Sequence, residues 1–255
     1  MDSRTDDLIE NLVSVVMPAF NCQDTILESI NSVRGQTYPY FELIIVDDGS
    51  TDNTYYLLKR FQNIPNIIIV RSKINNGVSF SRNIAISKAK GQYIAFLDSD
   101  DTWEKDKLKI QVNLMKKNNY FCCHSSYIRK DNSSKKEKII KAENFVGKFD
   151  MLHGNKIGNL TGIYDAKKLG KVYQKKIGHE DYLMWIQIVN LAGFSYGCSD
   201  NLASYNVSKK GISSNKIKAV FWTWNIYRNE LNLNLIYAFI CLIRYFLFVK
   251  KNYKP

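Results

Sequence analysis

Three carboxylates fall within four residues at Asp98-Ser-Asp-Asp101. At this spacing they repel one another unless a cation or hydrogen-bond donors neutralise them. Hard oxygen ligands of this kind suit Mg2+ or Mn2+ holding a diphosphate. The other use of such a run is to cap the helix that follows. A second cluster, Asp47-Asp-Gly-Ser-Thr-Asp52, has Gly49 for a tight turn and Ser50 or Thr51 to cap a helix. One of its carboxylates could accept a hydrogen bond from a nucleobase N–H. Arg82, in Asn75-Asn-Gly-Val-Ser-Phe-Ser-Arg-Asn83, lies near a helix start and could clamp an anion or a base. That segment is not the G-x-G-x-x-G dinucleotide fingerprint. Glu180-Asp181 opens another helix, where acids also complement the dipole. His124, His153 and His179 lack metal-ligand spacing, and no Ser/His/Asp triad or reactive cysteine emerges.

The elements that must position these groups follow from apolar patterning. Short β-branched or apolar runs at 13–17, 41–46, 66–70 and 93–97 predict strands. Amphipathic stretches at 24–36, 54–61 and 77–89 predict helices between them. This alternation predicts an α/β fold with a parallel sheet covered on both faces, which binds ligands beyond the carboxyl ends of its strands. Three polar clusters fall at those ends: Pro18-Ala-Phe-Asn21, 47–52 and 98–101. Further on, helices are expected over 105–117 and 178–191 and a strand over 120–128. A solvated basic loop is expected over 129–141, and one long helix over 215–251.

The chain has 255 residues, 45% of them hydrophobic and 24% charged, enough for a sizeable core without staples. Its net charge of +12 favours an anionic partner. Five cysteines without a C-x-x-C pair suit a reducing compartment. The polar, acidic stretch 1–12 does not read as a secretory signal. Nothing in the chain resembles a nucleic-acid-binding motif, so no nucleic-acid partner is expected.

Five segments taken jointly resemble the family 2 inverting glycosyltransferases with the GT-A fold, a three-layer αβα architecture on a mostly parallel sheet. They are V-S-V-V-M-P-A-F-N (13–21), L-I-I-V-D-D-G-S-T-D (43–52), N-N-G-V-S-F-S-R-N (75–83), G-Q-Y-I-A-F-L-D-S-D-D (91–101) and G-H-E-D-Y-L-M-W (178–185). Phe20 and Ser81 depart mildly from the family's usual Tyr and Ala. The resemblance implies a nucleotide-sugar pocket lined by Pro18, Ala19 and Asn21. Asp48, with Asp47, would meet the uracil, and Arg82 would lie on the ring's other side. Asp98 would lie near ribose and metal, and Asp100 and Asp101 would complete the ligands of a Mn2+ or Mg2+ ion. Asp181 would be the catalytic base, with Glu180 its neighbour. The implied reaction moves a hexose from a UDP-sugar with inversion, forming a β-glycoside. The expected division is a catalytic domain over 1–215, with 12–104 binding the donor and 105–215 the acceptor, and a tail over 216–255.

That tail sets seven basic residues against Glu230 alone: Lys216, Lys218, Arg228, Arg244, Lys250, Lys251 and Lys254. With Trp222, Trp224, Tyr227, Tyr237, Tyr245 and Phe246 interspersed, it suits an anionic membrane surface. Packing on the domain as an ordinary core helix is the alternative. The apolar stretch 235–249 would cover about 22 Å as a helix, too short for a bilayer core of about 30 Å. The expectation is therefore a cytoplasmic enzyme, peripheral on the inner membrane face, that extends a polyprenyl-diphosphate-linked sugar in O-antigen, lipopolysaccharide or capsule assembly. A metal-dependent sugar nucleotidyltransferase is a rival, but it would carry a Gly- and Arg-rich phosphate loop after the first strand. A non-enzymatic basic membrane-binding module is another, but it has no need of 98–101.

Overall fold

The computed structural model describes residues 7–131, 134–207 and 216–253. The start of the acidic N-terminal stretch, the 215/216 boundary and Lys254 lie outside the described residues. In chain order the elements are β1 (Ile9–Ala19), α1 (Ile26–Arg34), β2 (Phe41–Asp47), α2 (Thr54–Leu58), β3 (Ile67–Arg71), α3 (Val78–Lys88), β4 (Gly91–Phe96), β5 (Thr102–Trp103) and α4 (Lys107–Asn118). There follow β6 (Cys122–Asp131), β7 (Lys136–Ile140), β8 (Phe145–Gly147), α5 (Lys148–Leu152), β9 (Ile163–Asp165), α6 (Ala166–Leu169), α7 (Glu180–Ala192), β10 (Phe194–Asn206), α8 (Lys216–Asn225) and α9 (Leu235–Tyr253).

The first half is the expected parallel unit, with strands in the order β3-β2-β1-β4. Every residue of β2 is buried, as a strand covered on both faces requires. Side-chain alternation sorts the core into two layers. Val16, Ile44, Val46, Ile94 and Phe96 face α3, α7 and α9, while Val15, Met17, Leu43, Ile45 and Ala95 face α1 and α4. Beyond β4 the sheet becomes mixed. β9 runs antiparallel to β4 and β6, and β10 is parallel to β6 but antiparallel to β5 and β8. The result is the three-layer αβα arrangement, parallel in its first half and mixed in its second.

Two expectations are corrected. The basic segment 129–141 is not a loop: β6 runs to Asp131 and β7 returns antiparallel, with Tyr127 opposite Ile140. Only Ile140 of β7 is buried. Lysines on such an outer strand discourage pairing with another chain, and they give the strand the composition of a loop. The helix over 215–251 is not continuous either. It passes into a π-turn at Ile226–Glu230 and restarts at Leu235. Asparagines cause the break: Asn232 takes a left-handed backbone at φ 51°, and the Asn234 side chain accepts the Tyr237 N–H at 2.8 Å.

α7 is buried almost all round, because the sheet lies on one side and α5 and α9 on the other. Trp185 seats it. The fully buried ring lies edge-on to Phe96 at 5.7 Å, and its Nε1 donates to Asn159 Oδ1 at 3.2 Å. Gly162 makes room, since a Cβ there would fall 2.2 Å from the indole. Gly162→Ala is therefore expected to cost about 1–3 kcal/mol through overpacking. A lower urea midpoint with an unchanged m-value checks this.

Candidate active site

The parallel strands β1, β2 and β4 end side by side, with Ala19 in register with Asp47 and Val16 with Phe96. Two further backbone bonds extend the alignment into the loops: Leu97 N–H to Val16 O at 3.0 Å and Asp48 N–H to Ala19 O at 2.8 Å. Pro18, Ala19, Asn21, Asp47, Asp48 and Asp98 are thus brought to one edge of the sheet. Asn21, left-handed at φ 47°, stitches two of the loops together. Its N–H donates to Ser50 Oγ at 3.0 Å, and its Oδ1 accepts the Thr51 N–H at 2.8 Å.

Both acids of the second cluster brace the loops around them. Buried Asp48 accepts the Asn76 N–H at 3.0 and 3.1 Å and the Gly77 N–H at 2.8 Å, fixing the entry to α3. Asp47, fully buried, accepts the Ser50 N–H at 3.2 Å and lies 3.3 Å from Arg71 Nε. The Arg71 guanidinium in turn stacks 3.8 Å above the Tyr55 ring.

Arg82, on α3, is only 5% exposed. Its guanidinium spans the site, pairing with Asp98 Oδ1 at 2.7 Å and Glu180 Oε1 at 3.0 Å and touching Gln174 Oε1 at 3.3 Å. Burial works against its charge, but Asp98, Glu180 and Asp181 outweigh that and hold its pKa above the ordinary value. Arg82 thus connects the end of β4 to the start of α7.

The acidic trio divides. Asp98 belongs to Arg82. Asp101, 1% exposed, accepts the Asn206 N–H from the end of β10 at 2.9 Å, while Asn206 Nδ2 donates to Asp100 O at 2.7 Å. Burial, then Asp100 and Asp98, push the Asp101 carboxyl well above the usual range. Burial and the charge of Asp98 raise Asp100 to about 6. At α7, burial raises both Glu180 and Asp181; Asp181 adds to the shift of Glu180, and Arg82 opposes both shifts.

Residues 14–173 match the sequence profile of Glycosyl transferase family 2. TuaG of Bacillus subtilis, named for teichuronic acid biosynthesis, is 35% identical over 92% of this chain and 94% of its own. The chain is a family 2 glycosyltransferase. WfgD of Escherichia coli, a UDP-Glc:alpha-D-GlcNAc-diphosphoundecaprenol beta-1,3-glucosyltransferase, is 34% identical over 84% of this chain and 85% of its own. S. aureus TarS 1-349, crystallised with UDP-GlcNAc, superposes with a TM-score of 0.75 at 22% identity, covering 94% of this chain and 72% of TarS. The αβα architecture is thus the GT-A fold of that structure.

In this family 2 glycosyltransferase the donor set at 98–101 is all oxygen, which suits a hard divalent cation. Asp100 fits best: among the described residues its carboxylate takes a hydrogen bond from its own backbone N–H, and burial and Asp98 work against its charge more than Arg82 supports it. As placed, no group of three metal-ligating side chains converges among the described residues. Three contributors were not marked for the site by the sequence, Trp222 having been expected at a membrane surface. Gln174 reaches Arg82 from a loop that Asn83 ties down, since Asn83 Nδ2 donates to Gln174 O and its Oδ1 accepts the Gln174 N–H, both at 2.8 Å. Asn206 braces Asp101. Trp222, on α8, lies edge-on to His179 at 5.3 Å and covers Gly178, where a Cβ would fall 2.0 Å from the indole. It thereby backs the turn, with His179 at φ 57°, that leads into Asp181.

Arg82→Lys keeps a charge but loses the planar fork that reaches Asp98 and Glu180 together. Transfer is expected to fall by about 10²-fold, because a shift of about 1 Å in the acids at α7 is enough for that. Initial rates, compared for samples with matching near-ultraviolet circular dichroism, check this.

Proposed function

We propose that the chain is an inverting hexosyltransferase. It moves glucose or galactose from a UDP-sugar onto a polyprenyl-diphosphate-linked sugar, forming a β-glycosidic bond at the cytoplasmic membrane face, in O-antigen, lipopolysaccharide or capsule assembly. The observation that carries this reading is the bridge by Arg82 between Asp98, at the end of a nucleotide-binding-type strand, and Glu180, beside Asp181. A donor-side carboxylate and an acid able to take a proton are thereby tied to one rigid group. The UDP-sugar and the lipid-linked acceptor are supported by the ligand of TarS and the reaction in the name of WfgD. Residues 12–104 would form the donor half, 105–215 the acceptor half and 216–255 a basic aromatic tail whose inner side joins the core of the domain.

Pro18, Ala19 and Asn21 would line the nucleotide pocket, with Asp47 and Asp48 holding the loop that faces the base. Asp98 and Asp100, with Asp101 beside them, would hold Mn2+ or Mg2+, which when bound stabilises the charge on the departing diphosphate. Asp181 would take the acceptor hydroxyl's proton as that oxygen attacks the anomeric carbon from the face opposite the leaving group. Burial suits it for this, because a carboxylate with a raised pKa is a stronger base. Glu180 stays fixed on Arg82 and holds the first turn of α7.

The direct test is a UDP-hexose screen with a synthetic N-acetylglucosamine-diphosphate-lipid acceptor, followed by NMR of the product. A β-linked hexose is expected; an α-linkage would exclude single displacement. Asp181→Asn should bind UDP-sugar normally and lose about 10²–10⁴-fold in turnover. Because burial raises the pKa of Asp181, wild-type transfer should fall as pH drops through a value above the ordinary 3.8, and the residual activity of Asp181→Asn should lack that limb. Asp100→Ala should melt at or slightly above the wild-type temperature without metal, since it removes a half-buried repelling carboxylate. It should also lose stimulation by Mn2+, measured as rate against metal concentration.

A further inference from the structure

We propose that the outward face of α9 is a lipid-docking surface, laid flat on an anionic membrane. Leu235, Ile236, Phe239, Ile240, Ile243 and Leu247 are each 42–75% exposed. Their spacing of three and four residues puts them on one side of the helix. Six large apolar side chains in one stripe form a contiguous patch rather than the scatter normal for a surface. The opposite side is occupied: Ala238, Cys241 and Tyr245 are buried, and Tyr245 packs on Tyr182 of α7 at 5.5 Å.

The charges on α9 select the occupant. The helix carries Arg244, Lys250 and Lys251, all exposed, and no acid. A second copy docked about a two-fold axis would bring this acid-free basic face against itself. Anionic headgroups complement it, and an amphipathic helix with basic residues flanking an apolar face suits the headgroup boundary. Spanning is disfavoured twice. No helix among the described residues is long and apolar enough to cross a membrane, and upending α9 would strip Tyr245 from its packing. The tail aromatics expected at the membrane have other work. Tyr227 and Tyr245 are buried, and Trp222 packs against Gly178. The lipid-facing groups are the aliphatic and Phe side chains between them.

The surface is also connected to the catalytic turn. α8 contacts α9 and sends Trp222 onto the turn before Asp181. A docked α9 would hold that turn close to the plane where a lipid-borne diphosphate lies. This last step, unlike the docking, rests on the lipid-linked acceptor proposed above.

The test is flotation of the full chain with vesicles of phosphatidylcholine alone or mixed with phosphatidylglycerol, beside transfer to a short water-soluble sugar-diphosphate acceptor. Wild type should float with the anionic vesicles and be released by high salt. Phe239→Glu/Ile243→Glu, at exposed positions, should lose at least tenfold in vesicle partition while its transfer to the soluble acceptor stays within twofold. Arg244→Gln/Lys250→Gln/Lys251→Gln should lose preference for the anionic vesicles and keep its fold. Wild-type failure to float at low salt, or a Phe239→Glu/Ile243→Glu protein that floats like wild type, would overturn the proposal. So would sedimentation equilibrium showing a dimer that this variant disperses, which would assign the face to a second copy. Flotation without transfer would count against the proposed reaction alone.

Discussion

Arg82 carries its charge in a place where burial disfavours it, and it keeps that charge because Asp98 and Glu180 hold two of its nitrogens. The three groups come from three different parts of the chain: α3, the end of β4 and the start of α7. None can move alone without leaving a partly buried charge unpaired, a penalty far larger than a surface ion pair is worth. The rest of the site is built outward from this constraint. Asp48 fixes where α3 begins, Trp185 fixes where α7 lies on the sheet, and Asn206 fixes the loop that follows β4.

The same arrangement sets acids with very different electrostatic support at close quarters. Asp100 and Asp101 lie beyond the direct reach of the guanidinium, and burial raises both. Asp101 meets this with the Asn206 N–H, whereas among the described residues Asp100 has its own backbone N–H and the more distant charge of Arg82, so Asp100 is the least supported point of the cluster. An incomplete cluster of hard oxygens suits transient capture of a cation together with a diphosphate better than permanent storage of the ion.

The first hundred residues were legible because each strand is covered on both faces and so is continuously apolar, with turn chemistry punctuating each end. The strand-end motifs were equally plain, since Asp, Asn and Gly cluster where backbone must turn. What Asp48 and Asp101 touch was not legible: their partners, Gly77 and Asn206, are backbone donors whose positions depend on tertiary packing. The second half was harder for a related reason. β7 is an outer strand with the composition of a loop. β10 bends, with register shifts at Cys198 and Asn201, and its Ser, Asp and Asn residues break any period. The tail reads as one helix because apolar periodicity survives across Asn225 to Asn234, while the backbone does not.

The contact between Trp222 and the 178–179 turn has a consequence for how the protein comes into being. Trp222 is synthesised 43 residues after His179. At 5–20 residues per second, that is a delay of about 2–9 s. Throughout it, the parallel half of the sheet can form and Arg82 can find Asp98, yet the turn ahead of Asp181 has no indole behind it. Under the proposed reaction, a nascent chain would hold nucleotide before it could use it. Competence would arrive late, with the same C-terminal segment that carries the apolar stripe of α9.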